Sequence, residues 1–138
     1  MIKFLSDEWV DQAKNIVSKN LDPETDLNNA NTSVLNIINN VPPDGHTVYF
    51  FLAVKNGKIT ELLVDKTGSL SEKNAEFMVT GNYATFVQIF RGEMKTLIAL
   101  IKNRVKIKGD KMKALQFVKP IDKITYCLRE IETEFEEV

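Results

Sequence analysis

The chain holds one cysteine, one histidine and one tryptophan in 138 residues. The lone Cys127 excludes an internal disulfide and a multi-cysteine zinc site within one chain, and it suits a reducing cytoplasm. With His46 as the only imidazole, a Cys/His metal set is excluded too. No apolar stretch approaches the roughly 20 residues needed to span a bilayer. The opening MIKFLSDEW has no apolar core and soon turns acidic, so it does not read as a signal peptide. A dominant charge is missing as well: 18 basic against 19 acidic side chains give no global reason for a nucleic-acid partner. Phosphate-binding glycine loops, the HExxH zinc helix and any Ser/His/Asp pattern are absent, so catalysis has no visible starting point. Neither an enzyme nor a cofactor nor a metal is expected.

What is present is ordinary: 43% apolar and 27% charged residues, the balance of a soluble globular protein. The length allows one domain, 1–138, with one sizeable core. A helix is expected from about Ser6 to Asn20, with Ser6 as cap, Asp7 and Glu8 in the first turn, and Leu5 stapled to Val10. Trp9, Ala13, Ile16 and Val17 form its buried stripe. Three strands follow, Thr32–Val41, Thr47–Lys55 and Lys58–Lys66, broken by Pro42-Pro43-Asp44-Gly45 and by the hairpin pair Asn56-Gly57. The middle strand is apolar on both faces, which places material against both sides of it. His46 reads as a surface turn residue.

After a polar crossover from Ser69 to Asn74, a fourth strand runs from Ala75 to Thr80 and is broken by Gly81-Asn82. Two helices follow, separated at Arg91-Gly92-Glu93; Tyr83, Phe86, Val87 and Phe90 mark one stripe, Met94, Leu97, Ile98 and Ile101 the other. Arg104–Gly109 alternates as a half-buried strand. Asp110 caps a helix to about Val118, and Lys119-Pro120 opens the last one, from about Ile121 to Phe135. The order is α-β-β-β-crossover-β-αα-β-αα.

The segment AEFMVTGN at 75–82, the two helices at 83–100, RVKIKGD at 104–110 and KMKAL at 111–115 together resemble the sterol carrier protein (type two) family. The opening FLSDEW at 4–9 is similar to the start of many short prokaryotic members, and Asn56-Gly57 falls where the family has a hairpin. Two features depart from that pattern: Asn103-Arg104 replaces the usual Gly-Lys, and the C-terminal helix is longer and more acidic. The resemblance implies an α/β (α+β) fold in which helices cover a five-stranded, mostly antiparallel sheet. It also implies an apolar tunnel that holds fatty acid, fatty acyl-CoA or sterol- and isoprenoid-like molecules without catalysis.

The side chains offered to such a tunnel are Phe77, Phe86, Phe90, Met94, Leu97, Ile98, Met112, Leu115, Phe117, Ile124 and Leu128. Each is equally at home in a solid core; only the group, taken with the resemblance, favours a pocket. Arg104, Lys106, Lys108 and Lys111, within a run of six basic residues from Lys102 to Lys113, suit a lipid head group, a phosphate or an anionic membrane surface. Lysines that keep an edge strand soluble give the same pattern. The last helix carries Ile121, Ile124, Leu128, Ile131 and Phe135 at alternating spacings of 3 and 4, a seam that docks as a lid or pairs with a second chain as a homodimer. Glu130, Glu132, Glu134, Glu136 and Glu137 would be its solvated face. Two rival functions stand beside lipid holding: an interaction module with a closed tunnel, and a thioesterase using Cys127.

Overall fold

The computed structural model describes residues 1–136. In chain order the elements are β1 (Ile2–Lys3), α1 (Asp7–Asn20), β2 (Thr32–Val41), β3 (His46–Lys55), β4 (Lys58–Asp65), β5 (Phe77–Asn82), α2 (Tyr83–Arg91), α3 (Thr96–Ile101), β6 (Val105–Lys108), α4 (Lys111–Leu115), α5 (Val118–Leu128) and β7 (Thr133–Glu134). This is the expected order with a two-residue strand added at each end.

Helix α1 begins where its capping chemistry says it should. The Ser6 side chain accepts from the Trp9 amide at 3.2 Å, and Asp7 and Glu8 occupy the first turn. Trp9, Val10, Ala13 and Val17 are its buried side, and Ile16 packs at the margin. His46 opens strand β3 rather than sitting in the turn, with Asp44 accepting from both its backbone and its ring.

Strands β2 to β6 form one sheet in the order β4-β3-β2-β5-β6. The β2–β5 pair is parallel and the others are antiparallel, so the chain must cross over after β4 to lay β5 beside β2. Strand β3 is buried on both sides, as its sequence requires. Val48, Phe50, Leu52 and Val54 join the main core, while Phe51 on the other face lies under the crossover, with the Lys73 ammonium 4.9 Å from its ring centroid.

Strand β5 starts two residues later than expected and continues through Gly81-Asn82, with Gly81 paired to Ile38 on one side and Val105 on the other. Glycine serves as a point of close approach here, since a Cβ at Gly81 would lie 2.9 Å from Val105 Cγ1. Between α2 and α3 the chain turns at Gly92, whose φ of 80° is the left-handed cap conformation that glycine adopts without strain. The Arg129 side chain lies against it and donates to the carbonyls of Phe90 (3.2 Å) and Ile89 (3.5 Å), tying the end of α2 to the end of α5.

The C-terminal expectation is overturned. Helix α5 starts earlier, with Pro120 in its first turn, and ends at Leu128. The chain then turns back and pairs β7 with β1, Ile2 opposite Thr133 and Lys3 opposite Glu134. From Ile131 to Glu136 every second residue is a glutamate, with Ile131, Thr133 and Phe135 between them, the period of a strand. Prolonging the helix would stack glutamates at its negative end, against the dipole. Ile131 thereby joins this chain's own core and Phe135 packs against it, so neither belongs to a helical seam. Glu137 lies outside the described residues.

Candidate functional site

Between the sheet and the helices lies an apolar cavity of about 120 Å³. Its floor follows from strand register and the two-residue side-chain period. One row across the sheet reads Leu62–Leu52–Val34–Phe77, and the next reads Phe50–Asn36–Val79–Ile107. Every one of these residues lines the cavity, joined by Ile59 from β4. The roof draws Val17 from α1, Phe86, Ile89 and Phe90 from α2, Thr96 and Leu100 from α3, and Ala114 from α4. Phe117 and α5 residues Val118, Ile121, Ile124, Thr125 and Leu128 close it.

Only Asn36, Thr96 and Thr125 bring polar atoms to this lining. Asn36 Nδ2 donates to the Phe50 carbonyl at 3.1 Å, and Thr125 Oγ1 donates to the Asp122 carbonyl at 3.0 Å. The Thr96 hydroxyl is buried and, among the described residues, has no partner. An unsatisfied buried hydroxyl costs about 1–3 kcal/mol.

Of the side chains offered from sequence, Phe77, Phe86, Phe90, Phe117, Ile124 and Leu128 line the cavity. Met94, Leu97, Ile98, Met112 and Leu115 do not. Met94 packs against the Ile89–Ala99–Val105 cluster. Leu97, Ile98, Met112 and Leu115 are 41, 39, 75 and 50% exposed. The reason is helix length. Helix α3 has six residues and α4 five, under two turns each, so periodicity cannot select an inward face. Thr96, Ala99 and Leu100 turn inward on α3, and Ala114 does so on α4. The floor was the larger omission: Val34, Phe50, Leu52, Val79 and Ile107 carry the alternation that marks them as one face. Thr96 and Asn36 carried no signal in the sequence.

Arg104, Lys106, Lys108 and Lys111 are exposed, and no ion pair engages them among the described residues. Lys106 and Lys111 line a second, outward-facing groove of about 460 Å³ together with Asn103, Met112 and Leu115. Lys113, in contrast, is paired with Glu76.

Cys127 is buried outside the cavity, its Sγ donating to the Ile16 carbonyl at 3.6 Å. Burial, with the Glu130 charge adding to it, pushes the thiol pKa up, away from the reactive thiolate. His46 is engaged by Asp44 and is not part of the lining. Among the described residues no three His, Cys, Asp or Glu side chains gather as a metal site, and no helix is long and apolar enough to cross a membrane.

Comparison with known proteins places this architecture. Residues 15–122 match the model of the SCP-2 sterol transfer family. No curated protein matches the chain in sequence. Among solved structures, a conserved protein of Thermus thermophilus, described as a sterol carrier protein candidate, superposes with a TM-score of 0.78 at 15% identity, covering 97% of this chain and 93% of that one. A sterol carrier protein 2 gives 0.74 at 16% identity over 94% of this chain and 99% of that one. The palmitated sterol carrier protein 2 like 2 of Aedes aegypti gives 0.58 at 16% identity over 84% and 94%. At such identities the structures speak for the shared fold.

Proposed function

The chain belongs to the SCP-2 sterol transfer family, and from that membership we propose that its cavity holds the hydrocarbon part of a lipid without changing it chemically. The observation that carries the reading is the apolar void itself, walled by two sheet rows and the helices above them. Its lining contains no titratable side chain, so a bound guest meets shape and dispersion rather than acid–base chemistry.

Size narrows the guest. A void of about 120 Å³ resembles the roughly 150 Å³ apolar cavity that accepts benzene, a scale of roughly 25 Å³ per carbon. A sixteen-carbon tail needs on the order of 400 Å³ on that scale, so the cavity must open as the ligand enters. Each buried methylene contributes about 0.8 kcal/mol toward that opening. A flexible acyl chain enters a narrow space one segment at a time, whereas a rigid fused-ring sterol needs the full width at once. Fatty acid and fatty acyl chains are therefore candidates ahead of sterols, and the palmitated relative points the same way. The Thr96 hydroxyl meets the carboxyl or ester end. The unit acting is the whole domain, 1–138, in the cytoplasm.

The test is extraction of the purified protein with organic solvent and mass spectrometry of the extract, followed by titration with a fluorescent fatty acid. Co-purified acyl lipid and saturable one-to-one binding are expected. Failure of both would leave the rival reading favoured by the small volume, an interaction module with a closed interior. The Cys127→Ala variant should bind the probe as the wild type does; acyl-thioester hydrolysis abolished by that change would overturn the non-catalytic reading.

A further inference from the structure

We propose that the groove between α3 and α4 is the portal of the cavity, and that the surface around it docks on an anionic lipid bilayer. The portal half rests on the lipid-holding function; the docking half stands on the surface chemistry alone. Leu100, Ile107 and Ala114 line both the inner cavity and the outer groove, so these three side chains stand between the two spaces. They come from the two shortest helices and from an edge strand, the elements least anchored by neighbours on both sides.

The rim is unusual for a protein surface. Five of the seven large hydrophobic side chains left exposed among the described residues belong to the two helices beside the groove, Leu97, Ile98 and Ile101 on α3 and Met112 and Leu115 on α4, and the last two line the groove itself. Ile101 is 67% exposed. Concentrated exposure of this kind marks an interaction surface. Lys106 and Lys111 line the groove, and Lys102, Arg104 and Lys108 follow closely along the same stretch of chain, all five exposed and without ion-pair partners among the described residues. Asp110 is the acid among them, and its carboxylate is occupied by the amides of Met112 and Lys113 as the cap of α4.

Apolar tips beside unpaired cations suit the boundary between lipid head groups and acyl chains, where each basic residue near an anionic surface raises partitioning about fivefold. A second copy of the chain fits this surface poorly, because a two-fold contact would set one group of cations against the other. Docked this way, the groove faces the acyl region of the bilayer, and a tail passes between Leu100, Ile107 and Ala114 without crossing water.

Flotation of the full chain tests this, with vesicles of phosphatidylcholine alone and of phosphatidylcholine mixed with phosphatidylglycerol, at low and high salt. The wild type should float with the mixed vesicles only and lose binding as salt rises. Ile101→Asp and Lys106→Glu/Lys111→Glu should each weaken that binding by at least about tenfold. Because all three positions are exposed, urea midpoints should stay unchanged. Ile101→Asp, which lines neither the cavity nor the groove, should bind a monomeric fluorescent fatty acid as the wild type does, while delivery of that probe from the mixed vesicles slows. Equal flotation with both vesicle types, no flotation at all, or variants that float like the wild type would overturn the docking. A wild-type dimer in light scattering that Ile101→Asp reduces to monomer would assign the surface to a second copy instead. Flotation without any binding of the fluorescent fatty acid would leave the docking standing and remove the portal together with the lipid-holding function.

Discussion

The two ends of the helical layer lie on the same sheet and are built in opposite ways. At one end, Phe4 packs against Trp9 (5.1 Å between ring centroids, nearly perpendicular), Phe90 (5.0 Å) and Phe135 (4.9 Å), with Phe50 reached through Trp9. The β1–β7 pair closes this end, Trp9 Nε1 donates to Thr133 Oγ1 at 3.2 Å, and the Glu136 amide donates to the Tyr83 hydroxyl at 3.1 Å. It is solid. At the other end α3 and α4 roof a void floored in part by β6, and the two helices leave apolar side chains of their own in solvent. Phe50 and Phe90 belong to both, forming the wall where packed interior becomes cavity. The contrast teaches a division of labour. Large rings interlock at one end, while the other leaves a void beneath its two short helices.

The sharpest way to break the comparison is to remove a ring from each end. Trp9→Ala should cost about 3–5 kcal/mol in urea denaturation, because the interlocked surroundings cannot collapse around the loss. Phe117→Ala, half-buried at the cavity's edge, should cost less than half as much and should strengthen binding of long acyl chains; equal losses at both positions would erase the distinction.

A smaller effect comes from filling the hollow. Ala114→Leu should weaken binding of the fluorescent fatty acid on the order of tenfold, with at most about 1–3 kcal/mol of overpacking cost. Smaller again is Thr96→Val, which removes the unpartnered hydroxyl. The unliganded protein should gain about 1 kcal/mol in urea denaturation, and fatty acid should bind more weakly while a hydrocarbon without a head group binds as before.

The smallest effect concerns the pin at the hollow end. The Lys113 ammonium, with help from the Thr32 hydroxyl, holds the Glu76 carboxyl below the ordinary glutamate range. A carboxylate with a lower pKa folded than unfolded adds stability above its unfolded value of about 4.3, and that contribution is lost as pH falls through the folded value. Glu76→Gln should therefore flatten a shallow loss of stability on acidification, seen as a smaller drop in urea midpoint below about pH 4 than in the wild type.

Some of this was legible in the residues and some was not. Strand β2 and the hairpin at Asn56-Gly57 were plain, since branched and aromatic runs ended by turn residues have few other uses. The cap of α1 and the Gly92 break were legible for the same local reason. The C-terminal segment misled because its apolar spacing from Ile121 to Leu128 is helical, and Ile131 and Phe135 extend the count by coincidence. The glutamate alternation beyond Glu130 was the competing signal. In the candidate site, long α2 and α5 showed their inward faces, and Phe86, Phe90, Ile124 and Leu128 lie on the cavity. Short α3 and α4 had no face to show.

Periodicity, capping and turn chemistry act over a few residues, so the sequence by itself determined the order of elements from α1 to α5 and the apolar character of the interior. Whether that interior is filled or hollow depends on how side chains distant in the chain meet in volume. Leu52, Val34 and Phe77 become one row only through register, and Ala114 faces Phe77 only once α4 has docked. A void is a property of the gap between elements, and no element encodes it alone.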